Sequence, residues 1–154
     1  MSRILSFSLA ISCFLFVSTI VRATTDVHYC DKNEEYEVKV QGVDILPYPI
    51  SRGEQTTFSI SANNTDDAIS SGKLVIEVSY FGWRIHSETD DLCEKTKCPV
   101  AIGDFLVSHS QVLPIFTPPG TYSLKMKMLD GQKKELTCIK FSFDVGFGSS
   151  VADI

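Results

Sequence analysis

The residues able to do chemistry here are three histidines, a few paired acids and five cysteines. His86 and His109, with Glu88, Asp90 and Asp91, offer the imidazole and carboxylate groups that build acid–base pairs or metal centres. Their spacing specifies neither. H-E-x-x-H, G-x-S-x-G and G-x-x-x-x-G-K are all missing from the chain. His28 sits beside Cys30. His86 falls in Trp83–Asp91, a polar stretch that reads as a loop. His109, between Ser108 and Ser110, reads as a polar strand-end residue. These groups are expected on the solvated surface. Asp66-Asp67 and Asp90-Asp91 read as loop acids, since a calcium site needs several spaced oxygen ligands. The expectation is a chain that is no enzyme, with no cofactor and no metal.

The cysteines report on compartment instead. Arg3 followed by an apolar run, Ile4 to Val21, and then Val21-Arg22-Ala23, has the pattern of a secretory signal peptide over residues 1–23, cleaved after Ala23. That leaves one domain, residues 24–154, secreted or held in an endomembrane lumen or vacuole. No later stretch is long and apolar enough to span a bilayer. Cys13 leaves with the leader. Cys30, Cys93, Cys98 and Cys138 allow three pairings. The economical one joins Cys93 to Cys98 around a short loop and Cys30 to Cys138 near the domain ends. A four-cysteine zinc site is disfavoured, because the spacing is not paired C-x-x-C. The formal charge moves from −5 to −7 as Arg3 and Arg22 are lost. An acidic domain of this size argues against nucleic acid as a partner. Asn63-Asn64-Thr65 is a glycosylation sequon at Asn63, in a stretch from Ser61 to Gly72 that reads as an exposed loop.

The elements that must position these groups are strands. Period-2 alternation runs through Tyr36, Val38 and Val40, and shifts phase at Gly42 to Val43 and Ile45, which predicts a bulge. Pro47 and Pro49 stop that strand. Phe58, Ile60 and Ala62 alternate with polar neighbours, as do Leu74, Ile76, Val78 and Tyr80. Phe105 and Val107 make a shorter run. Tyr122, Leu124, Met126 and Met128 lead to an Asp130-Gly131 turn and a return through Ile139, Phe141, Phe143 and Val145. Six or seven strands and no helix imply an all-β, immunoglobulin-like sandwich of two antiparallel sheets. The immunoglobulin proper is disfavoured, because Trp83 precedes both members of the close cysteine pair.

Apolar supply exceeds what the cleanest strands use. Phe81, Trp83, Ile85, Ile115 and Phe116 lie outside them. An ordinary packed core accounts for most aromatics. The sharper reading is an internal apolar cavity between splayed sheets, closed at one end by aromatic and proline-rich loops. Leu113-Pro114-Ile115-Phe116-Thr117-Pro118-Pro119-Gly120 is the candidate mouth.

The ordered set of Val27-His28-Tyr29-Cys30, Val78-Ser79-Tyr80-Phe81-Gly82-Trp83, Cys93-Glu94-Lys95-Thr96-Lys97-Cys98-Pro99-Val100, Pro118-Pro119-Gly120-Thr121-Tyr122 and Cys138-Ile139-Lys140-Phe141 resembles the ML lipid-recognition domain family. Within it, the chain resembles plant secreted proteins described as phosphatidylglycerol/phosphatidylinositol-transfer-like. The resemblance covers Asp26 to Asp153. It implies a lipid held between the sheets without catalysis or metal, and it supports the Cys30–Cys138 and Cys93–Cys98 pairing. Animal sterol-binding members often carry a third disulfide; Pro47 to Arg52 has no cysteine, so sterol specificity is not transferred. Ile85 and Ile115 are the matching pocket-wall positions. The wider candidate wall is Phe58, Ile60, Ile76, Val78, Tyr80, Phe81, Trp83, Phe116, Tyr122, Leu124, Met126, Phe141 and Phe143.

The expected function is lipid binding and transfer. A phospholipid acyl chain, fatty acid or sterol would lie inside, with its head group at the mouth near Lys95, Lys97 or His86. Transient membrane contact and a monomer are expected. The competing reading is a protein-interaction or coreceptor module with a filled core.

Overall fold

The computed structural model describes residues 23–147. The predicted leader, apart from Ala23 at its cleavage site, lies outside the described residues. Nine strands and one helical turn follow in order: β1 Ala23–Thr25, β2 His28–Tyr29, β3 Val38–Leu46, β4 Gln55–Asn64, β5 Gly72–Tyr80, β6 Trp83–Asp91, α1 Leu92–Lys95, β7 Gly103–Val112, β8 Gly120–Asp130 and β9 Glu135–Val145. All the strand pairings are antiparallel. One sheet has the order β1-β3-β4-β7, the other β2-β9-β8-β5-β6. The two-sheet sandwich matches the expectation. No helix among the described residues is long and apolar enough to cross a membrane.

Alternation explains the core. Val43 and Ile45 of β3, Phe58, Ile60 and Ala62 of β4, and Val107 of β7 turn inward from one sheet. Leu74 and Ile76 of β5, Tyr122, Leu124, Met126 and Met128 of β8, and Ile139, Phe141 and Phe143 of β9 meet them from the other. The bulge expected at Gly42 is present as a register shift between Val40 and Gly42. It brings Val43 and Ile45 onto the buried face that Val38 occupies before it. Asp130 closes the β8–β9 turn, its Oδ1 accepting from the Gln132 and Lys134 amides.

Both cysteine pairings occur. Cys30–Cys138 ties the entry of the domain to β9, and Cys93–Cys98 closes the loop after β6.

Three sequence expectations are corrected here. Trp83–Asp91 is a strand, not a loop, and pairs with β5 from Lys73↔Asp91 to Tyr80↔Trp83. Its inward positions carry His86, Glu88 and Asp90, so no apolar alternation marks it. β7 extends five residues beyond Val107, which places His109 within the strand and buries it. Asn63 lies on β4 rather than in a loop, and its amide donates to Asp104 Oδ1 at 2.7 Å. Asp91 also has a local role: its carboxylate caps α1 by accepting from the Cys93 amide at 2.7 Å.

Candidate lipid-binding site

Between the sheets at one end lies a cavity of about 410 Å³. Phe58 of β4 and His109, Gln111 and Val112 of β7 line it from one sheet. Ile76 and Val78 of β5, Ile85 and His86 of β6, Tyr122 and Leu124 of β8, and Phe143 of β9 line it from the other. Leu113, Pro114, Phe116, Thr117 and Pro118, from the β7–β8 loop, form the mouth. Two other hollows, about 480 and 560 Å³, are wider open and lined largely by polar residues. Only the first combines contributions from both sheets with an apolar wall, the character of a site for an apolar ligand.

Local irregularity makes the wall. Ile85 and His86 are consecutive, yet both line the cavity. A regular strand would send them to opposite faces. The ladder shows why: Val78 pairs with His86 and Ser79 with Arg84, leaving Ile85 as an extra residue in a bulge. The β5–β6 turn is a tight two-residue connection, Phe81-Gly82, with positive φ at both. That is the hairpin geometry that matches strand twist, with phenylalanine where asparagine or glycine is usual. It holds the Phe81 ring out at the rim, 83% exposed.

Tyrosines fix the mouth loop. The Tyr122 hydroxyl donates to Pro118 O at 2.6 Å and the Tyr80 hydroxyl to Pro119 O at 3.1 Å. A buried phenol needs such a partner. Burial and the neighbouring Tyr80 raise the Tyr122 pKa above its ordinary value. Rings then run inward: Phe81 packs on Tyr80, Tyr80 stacks on Tyr122, Tyr122 on Phe143, and Phe143 meets Phe58 edge-on. Gly120 (φ 137°) passes so close to Tyr80 that a Cβ would lie 3.2 Å from its hydroxyl. Arg52 clamps the loop from outside, donating to the carbonyls of Thr117 and Phe147.

Of the residues singled out from sequence, Phe58, Ile76, Val78, Ile85, Phe116, Tyr122, Leu124 and Phe143 meet on the cavity wall. Ile60, Met126 and Phe141 do not; they are core. Tyr80 stands behind the wall against Tyr122. Phe81, Trp83 and Ile115 are rim residues facing outward, 76–83% exposed. Ile115 reaches Gly53 instead of the cavity, whereas its neighbour Phe116 borders the mouth while staying 83% exposed. Lys95 and Lys97 follow the other end of β6, away from the mouth, and Lys95 pairs with Asp90 at 3.1 Å. Of the three residues expected near a head group, His86 lies on the cavity wall and these lysines do not.

The polar groups are the main departure from expectation. His109 is 7% exposed, and Glu88 and Asp90 are partly buried beside it. They are not solvated surface groups. Sequence pattern missed them because the strand carrying Glu88 and Asp90 was itself hidden.

Two antiparallel sheets splayed over an apolar hollow, with no ladder joining β6 to β7, define an immunoglobulin-like sandwich built around an internal binding cavity. A profile of the ML domain family matches residues 24–145. The chain belongs to the ML domain family. A Dictyostelium discoideum protein named for phosphatidylglycerol/phosphatidylinositol transfer is 33% identical over 118 residues, 74% of this chain and 81% of that protein. The Aspergillus fumigatus phosphatidylglycerol/phosphatidylinositol transfer protein is 25% identical over 124 residues, 77% of this chain and 71% of that one. In fold, the chain is similar to a Niemann-Pick type C2 protein from Japanese carpenter ant (TM-score 0.60, 14% identity, 77% of this chain and 99% of that chain). It is also similar to chicken MD-1 crystallised with lipid IVa (TM-score 0.50, 14% identity, 82% and 99%).

Proposed function

We propose that this protein is a lipid-binding and transfer module of the secretory pathway, acting without catalysis. The observation that carries it is the apolar cavity open at one end and walled by both sheets. A filled core would have favoured the protein-interaction reading. Phospholipid transfer is the activity for which its relatives are named, and their glycerophospholipids suit the shape: one acyl chain inside, the polar head at the rim. Burying each CH₂ contributes about 0.8 kcal/mol, so some fourteen carbons supply about 11 kcal/mol before ordering costs. The two disulfides fit the oxidising compartment that the leader implies.

The test is transfer of fluorescent phosphatidylglycerol and phosphatidylinositol between vesicles, alongside mass spectrometry of lipids extracted from the purified secreted protein. Protein-dependent transfer and one co-purifying lipid per chain are expected. A protein that carries no lipid and displaces none would hand the lead to the interaction-module reading.

A further inference from the structure

We propose that Glu88 and Asp90 of β6 and His109 of β7 form a divalent transition-metal site, of the kind Zn²⁺ occupies, in the seam between the two sheets. One donor atom from each residue lies within 4.8 Å of the other two. The three come from strands that share no ladder, so the seam is closed here by side chains alone.

The polar bookkeeping of the cluster is incomplete without a cation. His109 Nε2 lies 3.1 Å from Glu88 Oε1 and 3.4 Å from Gln111 Oε1, and Nδ1 lies 3.4 Å from Asp90 Oδ2. A neutral imidazole carries a single N–H, so one of the two nitrogens faces its carboxylate oxygen lone pair to lone pair. His109 Nδ1, Glu88 Oε1 and Asp90 Oδ2 are all buried without a contact of hydrogen-bond geometry; their charged neighbours are one another and, for Asp90, Lys95. The His109 side chain is 9% exposed and is held from behind by the Phe58 ring. Buried polar groups without well-aligned hydrogen bonds are costly, and three of them converge here.

Charge agrees. Two carboxylates face a single ammonium, Lys95, 3.1 Å from Asp90 Oδ2. His86 contacts only the outer oxygen of Glu88, Oε2, at 3.3 Å. With His109 neutral the cluster keeps a net negative charge. Nitrogen and carboxylate oxygen together suit Zn²⁺, and Gln111 supplies the outer acceptor that orients a ligating imidazole. Metal–ligand bonds of about 2.0–2.2 Å put donors within about 4.2 Å of each other, so the ion draws the three side chains slightly inward. Three protein ligands leave a coordination position free for water. Because the donors span both sheets, the ion staples β6 to β7.

The experiment uses the purified, disulfide-intact protein after chelation and removal of the chelator. It is titrated with Zn²⁺ and with Co²⁺, and followed by calorimetry, Co²⁺ visible absorption and thermal melts. Saturation at about one ion per chain, tetrahedral Co²⁺ bands, and a rise in Tm of about 10 °C at a hundredfold excess over Kd are expected. Glu88→Gln and Asp90→Asn, which keep side-chain shape, should each weaken binding at least tenfold. His109→Phe should abolish the Co²⁺ bands. His28→Gln, remote on β2, should bind like the parent, which excludes capture by surface imidazoles. No saturable metal uptake by the folded parent would overturn the site. So would binding that survives all three substitutions. Metal-free protein whose stability depends on pH through the imidazole range, with no response to metal, would place a proton where the ion is proposed and overturn it equally. None of these readouts uses lipid, so the result stands apart from the lipid-transfer reading.

Discussion

Single side chains separate three roles that the sequence had merged. Ile85 faces the cavity from a bulge, Ile115 faces away from it, and Phe141 is core. Ile85→Asp should weaken lipid binding at least tenfold while the fold survives. A carboxylate desolvated by the ligand costs several kcal/mol, and about 1.4 is enough for tenfold. Ile115→Asp should leave equilibrium binding unchanged. Phe141→Asp should unfold the domain. Displacement of a fluorescent fatty acid, run beside a melt of each variant, distinguishes the three. A second residue-scale outcome concerns pH. Hydrogen bonds from Thr121 (2.6 Å) and then Tyr48 (2.8 Å) hold the Asp144 carboxyl below the usual carboxylate range. A depressed folded pKa contributes stability above the unfolded value of about 3.9, and that contribution is lost as pH falls through the folded value. The gap in Tm between the parent and Asp144→Ala should therefore be full near neutrality and close in that acid range.

Among the elements, legibility followed burial. β5, β8 and β9 were readable because their inward residues are apolar at every second position; the β3 bulge was readable because Gly42 shifts that phase. β6 was not. Its inward stripe is His86, Glu88 and Asp90, so a real strand looks like a polar loop. The same residues hid the cluster, since His109 looks solvent-facing until β6 is seen opposite it. The cavity mouth was legible in the proline loop, but the choice between Ile115 and Phe116 depends on a loop conformation that no periodicity encodes. Two element-scale outcomes follow. Replacing Cys30 and Cys138 by serine should cost about 4–5 kcal/mol, against about 2 for Cys93 and Cys98, because the first closes a far longer loop; paired melts check the ranking. Gly82→Ala should cost about 1–2 kcal/mol by denaturant unfolding. No atom lies within 4 Å of the added Cβ, so the left-handed backbone alone is responsible.

At the scale of the whole molecule, the two ends differ in chemistry. The mouth-end loops, residues 47–54, 81–82 and 113–119, carry only Arg52 and Glu54 as charges. They present Phe81, Ile115 and Phe116 to solvent, beside the exposed Trp83 at the start of β6. Asp31, Glu34, Glu35, Glu37, Asp66, Asp67 and Glu94 belong to the opposite end, where they outnumber Lys32, Lys95, Lys97, Lys133 and Lys134. The apolar end is the one a bilayer surface can receive, and the acidic end is the one it repels. Replacing Trp83 and Ile115 together by serine should slow vesicle-to-vesicle transfer severalfold, with solution binding retained. Equal loss of both would mean that these residues hold lipid rather than membrane.

The unladdered seam has a consequence for solubility. β6 and β7 each end their sheet, and their outer backbone amides and carbonyls pair with no further strand among the described residues. Such edges recruit strands from other copies of a chain, and charges buried along them are one of the ways proteins prevent it. Glu88, Asp90 and His109 occupy that guarding position. Neutralising the two acids should therefore increase concentration-dependent self-association, visible by light scattering, even where the isolated domain stays folded.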